Sequence, residues 1–177
     1  MNQITDRIIK AAKLDPQLFK QVEGEPEAMS QAVVIIILSS LGAGIGSLSY
    51  VGIIGLIFGF LRAIISWLLW AFVVYIIGAK ILPDTQTSSY HGKILRTLGF
   101  SASPGILRVF GIIPSLYEIS FFAANIWMIA SMSVAVKQVF DYESSWRAAG
   151  VSLVSRIIVL IFTLILGLIF AGFYFTQ

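Results

Sequence analysis

Long apolar runs alternate with short polar stretches after residue 28. Between Glu27 and Lys80 the chain is apolar or small almost throughout and carries a single charged residue, Arg62. One membrane-spanning helix needs ~20 predominantly apolar residues, so this run is long enough for two. We predict two crossings that are joined near the glycines at positions 42–52. The second crossing exceeds the required length, so it is expected to tilt or to break near its glycines.

The same pattern predicts an all-α, polytopic membrane helix bundle with five transmembrane helices. The third segment is interrupted by Pro104 and Gly105, and a proline removes a backbone donor from the hydrogen bonds of a helix. Breaks of this kind persist at membrane depth only where protein shields them, so the third segment is expected to face the bundle or to be partly re-entrant. The transmembrane domain covers 29–177, and its predicted segments are approximately 29–48, 53–82, 94–113, 116–138 and 149–174.

Residues 1–28 are predicted to form a short amphipathic helical head. Ile4, Ile8 and Ile9 fall near helical spacing, with charged residues around the rest of each turn. Asp15 and Pro16 then provide a helix-capping residue and a proline at the first helical position. The head either lies on the lipid surface or caps the protein's own helices.

Composition and charge agree with a membrane protein. Hydrophobic residues make up 58% of the chain and charged residues 12%, whereas soluble domains carry ~25% charged residues. If the N-terminus is cytoplasmic, most lysines and arginines, Arg156 included, fall on the inner side. Only Arg62 and Arg108 then fall on the outer side. This distribution follows the positive-inside rule and predicts a cytoplasmic N-terminus and an outside C-terminus.

Several motifs resemble the Yip1 family of multi-spanning membrane proteins. In chain order they are Trp67-Leu68-Leu69-Trp70, the stretch LRTLGFSASPG at 95–105, Ile112-Ile113-Pro114, Ile126-Trp127 and Trp146-Arg147-Ala148-Ala149. The resemblance covers about residues 17–175 and implies five spans with a cytoplasmic N-terminus. It links eukaryotic members to vesicle trafficking and to prenylated small GTPases, whereas prokaryotic members have no established activity. The head lacks the acidic-Leu-Tyr-Gly-Pro type of motif found in eukaryotic heads. A prokaryotic-type member, in a bacterial inner or thylakoid-like membrane, is therefore expected.

Residues suited to catalysis or metal binding are scarce. His91 is the only histidine and there is no cysteine, so neither a four-ligand metal shell nor a cysteine nucleophile can be assembled. The serines near His91 lack the third orienting group that a catalytic triad requires. No catalytic residue, cofactor site or metal site is predicted.

Four polar residues in or near the apolar segments are predicted to form an intramembrane network. Arg62 would pair with Glu118 near the outer interface, with Arg108 competing and Asn125 extending the network inwards. Intramembrane charges often mark functional paths. Alternatively, Arg62 simply extends its guanidinium group to the outer interface.

Two further groups of residues have predicted structural roles. Gly55 and Gly59 stand four apart in an apolar helix, a spacing that lets two helix backbones approach closely. This contact is either intramolecular or a homodimer face. Trp146 and Arg147 are predicted anchors at the membrane interface.

Two function classes remain compatible with the sequence. The first is a non-enzymatic scaffold or organising protein that recruits protein partners or lipid through its head and cytoplasmic loops. The alternative is a small transporter or lipid-moving protein that uses a polar pocket around Arg62 and Glu118 and the break at Pro104. Membrane lipid and either a protein partner or a second copy of the chain are the expected partners, and nucleic acid is not.

Overall fold

The computed structural model describes residues 3–82 and 91–175, excluding the side chains of His91 and of residues 167–175. All regular elements in these ranges are helical. Seven α-helices are present there, namely α1 (Gln3–Ala12), α2 (Pro16–Gly24), α3 (Ala28–Gly46), α4 (Leu48–Tyr75), α5 (His91–Phe100), α6 (Tyr117–Val139) and α7 (Ser145–Phe175). A π-helical turn, Ile76–Ile81, extends α4, and 3-10 helices at Ser103–Ile112 and Pro114–Leu116 link α5 to α6.

Four helical stretches in the described ranges are long and apolar enough to cross a membrane. They are Ala28–Gly46, Leu48–Ile81, Pro114–Val139 and Ser145–Leu166. The prediction of an all-α, multi-pass membrane protein is therefore confirmed. The third predicted segment is different, because it consists of the short helix α5 followed by the 3-10 helix Ser103–Ile112.

The third segment changes its helix type immediately before Pro104. The amide of Ser101 donates to the carbonyl of Leu98, and the amide of Ala102 donates to that of Gly99, so the last turn of α5 tightens. Pro104 then occupies the first turn of the 3-10 helix, where its missing N–H costs no internal hydrogen bond. Pro104 and Gly105 are both buried, as expected of a break shielded by protein.

The third segment runs alongside α3 in the same direction. A Cβ atom added to Gly99 would lie 2.6 Å from the Cβ of Ala32, at the start of α3. At the other end of α3, a Cβ on Gly46 would lie 2.1 Å from the carbonyl oxygen of Arg108. The hydroxyl of Ser49 donates to the Gly111 carbonyl at 2.7 Å just beyond. Glycine is needed at these crossings because the two backbones touch.

Helix α4 is not uniform along its length. Gly52 has φ +65° and ψ −151°, a backbone conformation that only glycine adopts easily, and it kinks the helix close to its start. At the opposite end, Gly78 in the π-helical turn packs on the ring of Phe140. The kink lies just before the predicted segment 53–82, and α4 continues through Gly55 and Gly59 without the further break that the length of the segment led us to expect there.

The head caps the protein's own helices. The Arg7 guanidinium is buried; it contacts the Glu25 carboxylate at 2.5 Å and donates to Gln31 at 2.9 Å. Hydrogen bonds from Gln21 and from Arg7 lower the pKa of Glu25. This contact therefore stabilises the head at neutral pH and is lost only when acid protonates Glu25.

Helix α2 is attached to the start of the third segment. Arg96 donates to the carbonyl oxygens of Val22, at 2.7 Å, and of Glu23, the residue before the last in α2. The buried carboxylate of Glu23 forms an ion pair with Lys93. These contacts satisfy carbonyl groups that the end of a helix leaves without intrahelical partners.

Candidate functional site

A cavity of about 380 Å³ lies between the middle of the bundle and the end at which α3 turns into α4. Its walls come from α3, α4, the first half of α6, the 3-10 helix and α7. The volume falls within the ~300–1,000 Å³ range of small-molecule sites in proteins. The head lies at the other end of α3, where Arg7 donates a hydrogen bond to Gln31, and no described residue of the head lines the cavity.

Three arginines from three different elements line this cavity. They are Arg62 of α4, Arg108 of the 3-10 helix and Arg156 of α7. Among the described residues, the ion pairs involve only side chains of the head and of the ends of α5 and α6, so none of the three arginines is paired. No aspartate or glutamate is among the lining residues. The cavity therefore carries positive charge that the described chain does not compensate.

Arg108 is the most buried of the three. Its residue is 8% exposed, and its Nη2 atom donates to the Sδ atom of Met128, a weak acceptor, at 2.5 Å. Its Nε atom is buried without a hydrogen-bond partner among the described residues. The indole Nε1 atom of Trp67, another lining residue, is in the same situation. Two donors beside this cavity are thus buried without a hydrogen-bond partner in the described part of the chain.

Arg156 is held in place by its neighbours. Its guanidinium lies over the Trp70 ring, 5.1 Å from the ring centroid, and donates to Asn125 Oδ1 at 2.6 Å and to Ser66 Oγ at 3.3 Å. The amide nitrogen of Asn125 donates in turn to the Phe121 carbonyl at 2.7 Å. The arginine is therefore oriented by a stacked ring and by two acceptors, none of which neutralises its charge.

The rim of the cavity on α4 is apolar. Val51, Ile54 and Phe58 all line it and are 59%, 63% and 68% exposed. Ile54 and Phe58 lie at helical spacing on the face of α4 that leads to Arg62, which is also exposed, and Val51 precedes the kink at Gly52. An apolar approach thus leads to a cationic interior.

The structure brings together three of the four residues of the predicted polar network. Arg62, Arg108 and Asn125 all line the cavity. Glu118 does not: it is exposed at the start of α6, and no ion pair joins it to Arg62 in the described part of the chain. Arg156, assigned to the inner side by the charge distribution, lies instead within the bundle at the cavity. The sequence feature that indicates this location is the position of Arg156 inside the apolar run 149–174.

The glycine pair faces α3 within the same chain. A Cβ on Gly55 would lie 2.6 Å from the Ser47 carbonyl oxygen, and one on Gly59 would lie 3.2 Å from the Ala43 carbonyl oxygen. Of the two alternatives, the intramolecular contact is the one present in this structure. These close approaches bring α4 against the end of α3 and so form one wall of the cavity.

The two predicted interfacial anchors differ in their surroundings. Trp146 is 88% exposed at the start of α7. Arg147 lies over the Tyr142 ring, 4.5 Å from its centroid, and donates to the Leu82 carbonyl at 3.0 Å. Trp146 is therefore free to contact the surrounding medium, whereas Arg147 also joins α7 to the end of the π-helical turn.

A family model described as Yip1 domain matches residues 14–169. The chain belongs to the Yip1 family. Membership confirms the resemblance carried by the sequence motifs, and the match includes every residue that lines the cavity. No match was found among curated proteins or among solved structures. The residues that line the cavity are therefore the basis for the proposed function of this Yip1-family protein.

Proposed function

We propose that the protein crosses the membrane five times, with its N-terminus in the cytoplasm. The third crossing is supported by the length of the broken segment. Ten residues of α-helix and ten of 3-10 helix rise ~15 Å and ~20 Å, compared with a hydrocarbon core of ~30 Å. Its parallel course along α3 supports the same topology. In this orientation the cavity lies in the outer half of the bundle.

Within this topology, we propose that the protein binds the anionic head group of a membrane lipid and catalyses no reaction. The observation that carries the proposal is the convergence of three arginines on a cavity without a lining carboxylate. An isolated buried charge is costly unless it is paired. Arginine binds phosphate and carboxylate groups through two parallel hydrogen bonds, so an anionic group supplies the missing partner.

The apolar rim favours a lipid as the source of the anion. Val51, Ile54 and Phe58 expose hydrocarbon surface beside the cavity, on the face of α4 that ends at Arg62. An acyl chain can lie on these side chains while its head group contacts the arginines. A soluble anion would gain nothing from them. The lipid is held or moved within the bilayer, which corresponds to the lipid-handling alternative derived from the sequence.

The scaffold function has less support from the geometry. Two charged groups of the head, Arg7 and Glu23, are buried in contacts within the chain, which leaves the exposed Lys10, Lys13 and Lys20 as the basic groups that could recruit a partner. The loop at 83–90 lies outside the described residues. The cavity, by contrast, presents the exposed guanidinium of Arg62 and has no carboxylate among its described lining residues.

Substitution Arg108→Met is expected to lower lipid retention and to stabilise the lipid-free protein. Loss of charge-assisted hydrogen bonds of ~1.5–3 kcal/mol should weaken binding about tenfold or more. Removal of an unpaired buried charge should at the same time raise the melting temperature of the delipidated protein. Native mass spectrometry of the detergent-purified chain measures the first effect, and a thermal melt after delipidation measures the second.

The matched control is Lys80→Met, which removes one positive charge from an exposed position that does not line the cavity. It should leave both lipid retention and the melting temperature nearly unchanged. Equal anionic lipid on the wild type and on Arg108→Met would contradict the proposal. A lower melting temperature of delipidated Arg108→Met would indicate that Arg108 has a structural role instead.

A further inference from the structure

We propose that the bound head group carries a phosphate monoester, with two negative charges, in preference to a singly charged diester. This inference rests on the proposed lipid function and names the chemistry of the same cavity. It depends on the number of positive charges, on the hydrogen-bond donors that still lack partners, and on the absence of acidic side chains from the described lining.

Charge balance is the first argument. Arg62, Arg108 and Arg156 bring three positive charges to one cavity, and its described lining has no Asp, Glu or His. A diester such as that of phosphatidylglycerol brings one negative charge and leaves two positive charges uncompensated. A monoester carries about −1.5 to −2 at pH 7 and leaves only about 1 to 1.5 positive charges uncompensated. In a medium of low dielectric constant, this difference in charge between the two head groups makes a large difference in electrostatic interaction energy.

Available donors provide the second argument. Arg62 makes no hydrogen bond or ion pair with the residues that the structure describes, so its whole guanidinium group faces the cavity rim without a partner. The Nε of Arg108 and the Nε1 of Trp67 are buried and unpartnered. The exposed guanidinium of Arg62 is the group that a ligand can reach directly, and a monoester presents three terminal oxygens to it, whereas a diester presents two.

The lining also disfavours zwitterionic head groups. A choline or ethanolamine group brings its own cation, and the described lining provides no carboxylate to pair with it. Three guanidinium groups nearby would repel that cation. The cavity chemistry therefore selects a head group that ends in phosphate.

Lipid titration of the full chain in detergent micelles tests this inference. The probes are phosphatidic acid, phosphatidylglycerol, phosphatidylserine and inorganic phosphate, each added to delipidated protein, with the melting temperature and native mass spectra as readouts. Phosphatidic acid is expected to bind about tenfold more tightly than phosphatidylglycerol, a ratio typical of one additional charge-assisted contact. Arg62→Gln, at an exposed position that should not affect folding, is expected to abolish most of this preference.

The preference should also depend on pH. The second pKa of a phosphate monoester is ~6, so its second charge is largely lost between pH 7.5 and pH 5.5. Since the described lining has no His, Asp or Glu, the protein's own charge there should not change over this range. The ratio of phosphatidic acid to phosphatidylglycerol affinity is expected to fall towards one at pH 5.5.

The possible outcomes separate this inference from the proposed function. Equal, Arg62-dependent binding of all three lipids would overturn the monoester inference and leave the lipid function in place. No arginine-dependent binding of any of them would overturn both. If inorganic phosphate alone stabilised the protein as strongly as phosphatidic acid, the phosphate chemistry would be supported and lipid as its source overturned.

Discussion

Gly46→Ala is expected to destabilise the protein by about 3 kcal/mol, the upper part of the range for overpacking in a well-packed core. The added methyl group would lie 2.1 Å from the Arg108 carbonyl oxygen and 2.9 Å from the Phe121 ring. The Arg108 oxygen is a backbone atom that cannot rotate away, so α3 and the 3-10 helix would have to separate. The melting temperature in detergent and the monodisperse fraction on size exclusion measure the loss.

The control for this change is Gly150→Ala in α7. A Cβ atom at Gly150 meets nothing within 4 Å, and alanine favours the helix by up to ~1 kcal/mol over glycine. Gly150→Ala should therefore be neutral or slightly stabilising. A Gly46→Ala variant as stable as the Gly150→Ala variant would show that the close crossing of α3 and the third segment is absent in the detergent-purified protein.

Arg96→Met is expected to release the head from the bundle. The substitution removes two charge-assisted hydrogen bonds to the carbonyl oxygens of Val22 and Glu23, each worth ~1.5–3 kcal/mol. With about 3 kcal/mol lost in total, amide hydrogen exchange in α2 should be roughly 100-fold faster. Exchange in α6 should be nearly unchanged, because its backbone hydrogen bonds do not involve Arg96. Exchange mass spectrometry of the chain in nanodiscs resolves the two helices.

The comparison variant is Lys20→Met. Lys20 is a largely exposed cation that forms ion pairs with Glu23 and Asp141, and exposed pairs contribute ~0–1 kcal/mol. Its loss should change exchange in α2 only slightly. Equal effects of Arg96→Met and Lys20→Met would mean that surface charge, rather than the capped carbonyls of α2, holds the head.

The helices that cross the membrane could be predicted from the sequence because their apolar runs are long. Predicted segments 29–48 and 116–138 correspond closely to α3 (Ala28–Gly46) and α6 (Tyr117–Val139). The third segment is harder to predict from the sequence, because Pro104 interrupts the helical periodicity and a 3-10 helix has no apolar pattern of its own. Its place is determined by glycine contacts with α3, which depend on tertiary packing.

The candidate site could be predicted only in part. Arg62, Arg108 and Asn125 stand out as polar residues in apolar segments, and the structure places them at one cavity. Separation along the chain does not predict whether Glu118 or Arg156 lies beside these three residues in the fold. Opposite charge favoured Glu118, whereas the helix arrangement brings in Arg156 through Asn125 and Trp70. Attraction between charges was a poor guide here because the site collects charges of one sign.

The two glycine faces of α3 contact segments that are synthesised at different times. Gly44 of α3 approaches the Leu56 carbonyl of α4, whereas Gly42 and Gly46 approach the carbonyls of Ile106 and Arg108. Helices α3 and α4 precede the third segment in the chain, so their hairpin can form while the second glycine face is still uncovered. The later segment, with its proline and its arginine, partitions poorly into lipid alone and gains its position on that face. The glycine-rich end of α3 thus has one face for the helix that follows it in the chain and another for a segment that is synthesised later.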